Sequence, residues 1–317
     1  MSRITLATST SQTKTAWIYA GQGAQRPEMG LDIYREYPQI RPLFESEVCG
    51  RSLVELCFEA SVETLSDTRY SQPCMAVFAA AVTSLLMEYD KFPNIVAGLS
   101  LGEYSALHAA GVFDAQTLID LLTYRGAIMS EAYGLPSRMT AVFGLDDQSV
   151  TDAVARAGKE SGGIVACANF NCPGQVVISG NEKAVLRAEE LLRELGARRC
   201  VTLATSGPFH TPLMQPAASL LANRLENLAF SSQQIPVIFN VTAATATDNE
   251  VKPLLVRQLY SPVHFAQSLL TLRESGVERI IEIGPGRTLA GLAKRTIPQI
   301  PVTSIDSVDD LKEVIAS

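Results

Sequence analysis

The chain has 317 residues, 47% of them hydrophobic and 19% charged, with a formal net charge of -7, enough apolar material for one large domain and a smaller one. This acidic balance offers no general basic field to grip a phosphate backbone or an anionic membrane, which excludes nucleic acid and membranes as expected partners. The six cysteines (Cys49, Cys57, Cys74, Cys167, Cys172, Cys200) lack the short paired spacings of a zinc site and only three histidines exist to join them, so no metal is expected and the thiols read as reduced.

The start, Met1 to Thr15, is polar and rich in Ser and Thr, without the basic-then-apolar order of a signal peptide, and no later apolar run is expected to reach membrane-spanning length. A cytoplasmic protein is the expectation. A first strand is read at Thr15 to Ala20, followed by the loop Gly21-Gln-Gly-Ala-Gln25. Helical patterns fill about Ile33 to Leu86 with a polar break around Glu63 to Gln72, and a second strand is read at Asn94 to Ala97. Helices follow at Leu101 to Ala110, stopped by Gly111, and at Ala115 to Tyr133.

The next stretch has its own order: strand Thr140 to Leu145, helix Gln148 to Gly158, strands Ile164 to Phe170 and Val176 to Ser179, helix Glu182 to Leu195, strand Cys200 to Leu203. That is β-α-β-β-α-β, the ferredoxin-like arrangement, read as a small inserted domain over 138–205. The flanking pieces, 15–137 and 206–317, form the discontinuous large domain. After the insert come helix Pro212 to Leu228, strand Pro236 to Asn240, helices near Val251 to Tyr260 and Phe265 to Ser275, strand Arg279 to Ile283, the turn Gly284-Pro-Gly286 and strand Val302 to Ile305. Strands alternating with helices imply an α/β core with a mainly parallel sheet covered on both faces.

Gly98-Leu99-Ser100-Leu101-Gly102 lies between the strand ending at Ala97 and the helix opening at Leu101, the strand-turn-helix context of a nucleophile elbow. Small flanking residues suit a sharp turn where neighbouring elements approach closely. Ser100 is therefore the candidate nucleophile, although a helix-capping serine in a glycine-flanked turn would leave the same short signature. A serine needs a base, usually histidine. His108 lies in the elbow's own helix and His264 follows Pro262 at a helix start, whereas His210 sits in the proline-held loop Ser206-Gly-Pro-Phe-His210-Thr-Pro. A loop with fixed backbone angles positions a base well, which favours His210.

The set Tyr19-Ala-Gly-Gln-Gly-Ala-Gln25, Ser71-Gln-Pro73, Gly98-Leu-Ser-Leu-Gly-Glu-Tyr-Ser105, Tyr124-Arg-Gly126, Asn169-Phe-Asn-Cys-Pro-Gly-Gln175, Pro208-Phe-His210, Gln258-Leu-Tyr-Ser-Pro262 and Glu282-Ile-Gly-Pro-Gly286 resembles the malonyl-CoA:acyl carrier protein transacylases, relatives of polyketide synthase acyltransferase domains. The match runs in order from about residue 15 to about residue 295. The resemblance implies an α/β-hydrolase-like core with a ferredoxin-like insert. It also implies ping-pong transfer of malonyl from malonyl-CoA to the phosphopantetheine thiol of acyl carrier protein through a malonyl-serine. No cofactor beyond these substrates is implied, and a monomer is expected.

Position by position, the resemblance puts the nucleophile on Ser100 and the base on His210. Oxyanion donors fall on the backbone N–H groups of Gln22 and Leu101, and a backbone carbonyl near Gln258 orients the base. Arg125 falls on the family's arginine, whose guanidinium can grip a malonyl carboxylate with two charge-assisted hydrogen bonds. Taken alone it would read as a solvated helix residue. Gln72, Met129 and Phe209 complete the expected substrate contacts. Two departures stand out: Leu99 where many members have histidine, and Ala20 where proline is frequent. Lys183, Arg187, Arg193, Arg198 and Arg199 form a candidate basic patch for an acidic carrier protein, or an ordinary solvated helix face. A hydrolase on the same elbow, such as an acyl-carrier thioesterase, and an inactive carrier-docking module are the rival readings, as is a trans-acting acyltransferase of a polyketide pathway.

Overall fold

The computed structural model describes residues 13–205 and 207–317. The polar start of the chain and Ser206, at the head of the histidine loop, lie outside the described residues. Two sheets organise the molecule. The strands are β1 (Thr15–Tyr19), β2 (Glu47–Val48), β3 (Arg51–Ser52), β4 (Ile95–Gly98), β5 (Ser137–Phe143), β6 (Val165–Cys172), β7 (Gln175–Asn181), β8 (Arg199–Thr202), β9 (Val237–Ile238), β10 (Arg279–Ile283) and β11 (Val302–Ile305). The larger sheet runs β11-β10-β1-β4-β9, and every pairing in it is parallel. All five residues of β1 are buried, as an apolar run between two helical layers requires.

The smaller sheet has the order β6-β7-β5-β8 and is antiparallel throughout, with helices Asp147–Ser161 and Glu182–Glu194 completing βαββαβ. The fold is thus α/β, a mainly parallel core sheet joined by an antiparallel ferredoxin-like one. The small sheet is tied to the segment before helix Phe265–Glu274 by backbone bonds from Phe170 N–H to the Val263 carbonyl and from Val263 N–H to the Ala168 carbonyl, both 2.9 Å.

Three readings change. The expected break at Glu63 to Gln72 shrinks to Asp67: Ser61 caps a short helix Val62–Ser66, Asp67 separates it from the next and caps that one, and Thr68–Glu88 runs straight through Gln72 and Pro73. That helix is long and apolar enough to cross a membrane, against the expectation that no run would be; 83% of its apolar stretch is buried inside the protein. Two helices near the end, Thr288–Thr296 and Val308–Ala316, and the small β2–β3 hairpin were not anticipated.

Candidate active site

The carboxyl ends of β1 and β4 open onto a cavity of about 440 Å³ that the small sheet closes from the other side. Gln22 lies in the loop after β1, and Ser100 in the turn between β4 and the helix Gly102–Ala109. Ser100 has φ 53°, a left-handed backbone that a side-chain-bearing residue adopts only under strong external constraint. Glycine makes the turn possible. A Cβ on Gly98 would stand 2.0 Å from the Gly102 carbonyl carbon, and one on Gly102 would stand 2.2 Å from the Tyr19 carbonyl oxygen.

The constraint itself comes from afar. The Asn240 side chain accepts from the Ser100 N–H at 2.7 Å and donates to the Gly98 carbonyl at 2.6 Å. The Gln258 amide donates to the Ser100 carbonyl at 3.0 Å. Both backbone polar groups of the strained residue are therefore held by buried amides.

His210, itself at φ 59° and 4% exposed, places Nε2 2.8 Å from Ser100 Oγ and Nδ1 2.8 Å from the Gln258 carbonyl. A carbonyl can only accept, so the proton sits on Nδ1 and Nε2 offers its lone pair to the serine hydroxyl. Burial, and then the positive charge of Arg125, pull this imidazole down to about 4 despite the carbonyl acceptors that favour its charged form. The other histidines are occupied elsewhere. His108 Nδ1 bonds the Phe113 carbonyl at 3.0 Å, and the His264 ring stacks on Phe170 at 5.3 Å.

Arg125, on helix Ala115–Glu131, is 1% exposed. It donates from Nη1 to Gln72 Oε1 at 2.9 Å, and from Nη2 to Gln258 Oε1 at 3.0 Å and Ser100 Oγ at 3.2 Å. Its Nε is buried without a partner, its guanidinium carbon lies 5.3 Å from the centre of the Tyr104 ring, and among the described residues no carboxylate forms a salt bridge with it. Burial lowers its affinity for the proton, but a guanidinium stays charged. Met129 and Phe209, both buried, line the same cavity, and Met129 Sδ accepts from Gln72 Nε2 at 3.6 Å. The backbone N–H groups of Gln22 and Leu101 find no acceptor among the described residues, which leaves two donors free beside Ser100. Leu99 lines the cavity as well, on the apolar side.

The other eight candidate residues therefore gather around Ser100, either at the cavity or directly beneath it. The arrangement can deprotonate a serine hydroxyl, hold a carboxylate against Arg125 and offer two backbone donors to an oxyanion. Sequence reasoning missed Asn240, Glu103 and the side-chain part played by Gln258. It also passed over Asn169 and Asn171 on β6, which line the cavity and whose signal, the run Asn169 to Gln175, was in view. No group of three His, Cys, Asp or Glu side chains among the described residues is placed to hold a metal ion.

The expected basic patch divides. Arg187 pairs with Glu160 and Glu190, and Arg193 with Glu189, leaving those guanidinium groups neutralised on the helix. Arg198 and Arg199 instead line a second cavity of about 580 Å³ together with Arg295.

Comparison with known proteins agrees with this geometry. The model of the acyl transferase domain family matches residues 16–314. The chain is 40% identical to the malonyl CoA-acyl carrier protein transacylase of Haemophilus influenzae (95% of this chain, 98% of that protein) and 38% identical to the one of Bacillus subtilis (96% of each). Among solved structures it resembles the Vibrio cholerae acyl carrier protein S-malonyltransferase, with TM-score 0.91 and 39% identity over 95% of this chain and all of that one. It also resembles a malonyl-transacylase in complex with its type II polyketide synthase acyl-carrier protein, with TM-score 0.92 and 36% identity over 96% and 99%.

Proposed function

The chain belongs to the acyl transferase family of malonyl CoA-acyl carrier protein transacylases, and from that membership we propose that it carries malonyl from malonyl-CoA to the phosphopantetheine thiol of acyl carrier protein through an ester on Ser100. The observation that carries this reading is the meeting of two groups at one oxygen: Ser100 Oγ lies 2.8 Å from His210 Nε2 and 3.2 Å from Arg125 Nη2.

His210 takes the hydroxyl proton as Ser100 Oγ attacks the thioester carbonyl, and the Gln258 carbonyl steadies the imidazolium that forms. The N–H groups of Gln22 and Leu101 hold the oxyanion. Collapse expels coenzyme A thiolate, which takes the proton from His210. The carrier thiol then gives its proton to the same imidazole, attacks the ester, and Ser100 leaves with that proton. Arg125 holds the malonyl carboxylate throughout, with Gln72 and Met129 bounding the acyl pocket and Phe209 beside the base. No cofactor takes part. We assign residues 15–137 and 206–317 to the large domain and 138–205 to the small one, with the chemistry in the cleft between them, and place the protein in the cytoplasm beside its substrates.

Mass spectrometry of protein quenched after mixing with malonyl-CoA tests the reading. A malonyl adduct on Ser100 that persists until carrier protein is added is the expected result; release of free malonate without a carrier would make the chain a hydrolase.

The depressed His210 imidazole has a visible consequence. A base works only when deprotonated, so activity is present above its pKa and lost below it. The acid limb of kcat/KM for Ser100 loading should therefore fall near pH 4, with no break in the ordinary imidazole range near 6.5. A break between pH 6 and 7 would contradict the burial of His210.

For the carrier, we propose docking over the cavity of Arg198, Arg199 and Arg295. Arg199 and Thr202 lie three residues apart on β8, about 10 Å along the strand, and Thr202 lines the active cavity. Charge reversal at Arg198 and Arg295 should raise the KM for carrier protein about tenfold, with kcat at saturation retained. An unchanged KM would move the docking surface elsewhere.

A further inference from the structure

Glu103 is fully buried in the first turn of the elbow helix, and the transfer chemistry makes no use of it. Its Oε2 accepts from the Asn240 backbone N–H at 2.5 Å, the same residue whose side chain clamps Gly98 and Ser100. Its Oε1 is buried with no hydrogen-bond partner among the described residues. The cation facing it, Arg125, makes no ion pair with it and directs its Nη donors to Gln72, Gln258 and Ser100.

An ionised carboxylate with one oxygen unpartnered in a buried site is strongly disfavoured, since no ion pair repays its lost hydration. The neutral acid carries far less of that penalty. We propose that Glu103 is a positioning residue kept as the neutral acid, anchoring Asn240 under the elbow while leaving the Arg125 charge unopposed for the malonyl carboxylate. This rests on the reading of Arg125 as the carboxylate clamp.

Burial pushes the Glu103 carboxyl up to about 8, outweighing the Asn240 N–H, the nearby Gln258 amide and Arg125, which all favour its ionised form. The titratable and charged groups facing it are Arg125 from helix Ala115–Glu131 and Tyr104 from its own helix, whose phenol burial pushes far upward. His210 lies beyond Arg125, already uncharged above about pH 4. Arg257, on the helix that brings Gln258, acts on His264 instead. Between neutrality and mild alkali Glu103 alone of these changes charge. Once ionised, it opposes Arg125 and weakens the grip on malonyl but not on an uncharged acyl group.

The test is Ser100 loading from malonyl-CoA and from acetyl-CoA between pH 6.5 and 9.5 in the wild type, Glu103→Gln and Arg125→Ala. In the wild type the malonyl-to-acetyl ratio of kcat/KM should fall at least about tenfold between pH 7 and pH 9.5, while in Glu103→Gln it stays level. A level wild-type ratio, or an equal fall in both proteins, overturns the proposal. Arg125→Ala should show a low ratio at every pH; a high ratio there would sink the clamp reading instead. Stability gives a second readout. The folded pKa lies above the ordinary 4.5, so this contribution is complete below about pH 4.5 and is lost as pH rises through about 8. The Tm of Glu103→Gln should therefore gain on the wild type across that window. Should Glu103→Gln not fold, infrared titration of the wild type decides. A buried carboxylic-acid band present at pH 7 and gone by pH 9.5 supports the assignment, and its absence at pH 7 overturns it.

Discussion

In the Ser100→Ala protein, transfer of malonyl from malonyl-CoA to acyl carrier protein should fall roughly 10⁵-fold, and the quenched protein should carry no acyl adduct. In the proposed two-step transfer the group passes between the thiols only through the ester, so its loss leaves no route. The loss belongs to chemistry and not to folding: the change removes one exposed-side hydroxyl contact to His210 and one to Arg125, while the clamps from Asn240 and Gln258 act on the backbone and remain. His210→Ala should cost nearly as much, and the double variant little more than either alone, because hydroxyl and imidazole act as one unit. Radiolabel transfer rates for the three proteins check this. Separate losses that multiplied in the double variant would mean that the pair does not work as a couple.

Arg125→Ala should lower kcat/KM for malonyl loading about 100- to 1,000-fold, the equivalent of roughly 3 to 4 kcal/mol at about 1.4 per decade, while acetyl loading is kept or improved. The asymmetry follows from how Arg125 is held. Two amide oxygens, from Gln72 and Gln258, fix the guanidinium without neutralising it, and Nε remains unpartnered. In the proposed role, a substrate carboxylate would meet a full charge on a buried guanidinium, where a charge-assisted pair is strong. An acetyl group gains nothing from that charge. Arg125→Lys should fall between, since an ammonium keeps the charge but loses the planar fork. Parallel measurement with both thioesters settles the matter; unchanged malonyl turnover in Arg125→Ala would remove Arg125 from its proposed role.

Much of this geometry was legible because its signals are local. The turn from β4 into its helix shows in the glycines on both sides of Ser100 once the flanking strand and helix are read with them, and the βαββαβ order of the small sheet follows from hydrophobic periods. Helix Val308–Ala316 was also readable, since Ser307 and Asp310 form a capping box, and was overlooked. Helix Thr288–Thr296 was not. No side chain of its own caps it; the Leu289 and Ala290 N–H groups are taken by Glu282, projecting from β10. The same distinction holds at the site. Asn240, Glu103 and the Gln258 amide act across 137 to 158 residues of chain, and an Asn, a Glu or a Gln carries no mark in sequence of the contact that the fold will give it. His210 was accessible by elimination among three histidines, whereas the carbonyl that fixes its tautomer was accessible only through resemblance.

The backbone crowding around Gly98 and Gly102 also bears on how this protein could change. A methyl group at Gly98 would have to pass through the Gly102 backbone, and one at Gly102 through the Tyr19 carbonyl at the end of β1, so neither glycine can be replaced without moving a second stretch of backbone. The residue at 100 can be exchanged for another nucleophile and the pocket walls can be recut for other acyl groups. The turn that presents the nucleophile is different: it is inherited or redesigned only as a whole, which leaves diversification of the chemistry to the walls.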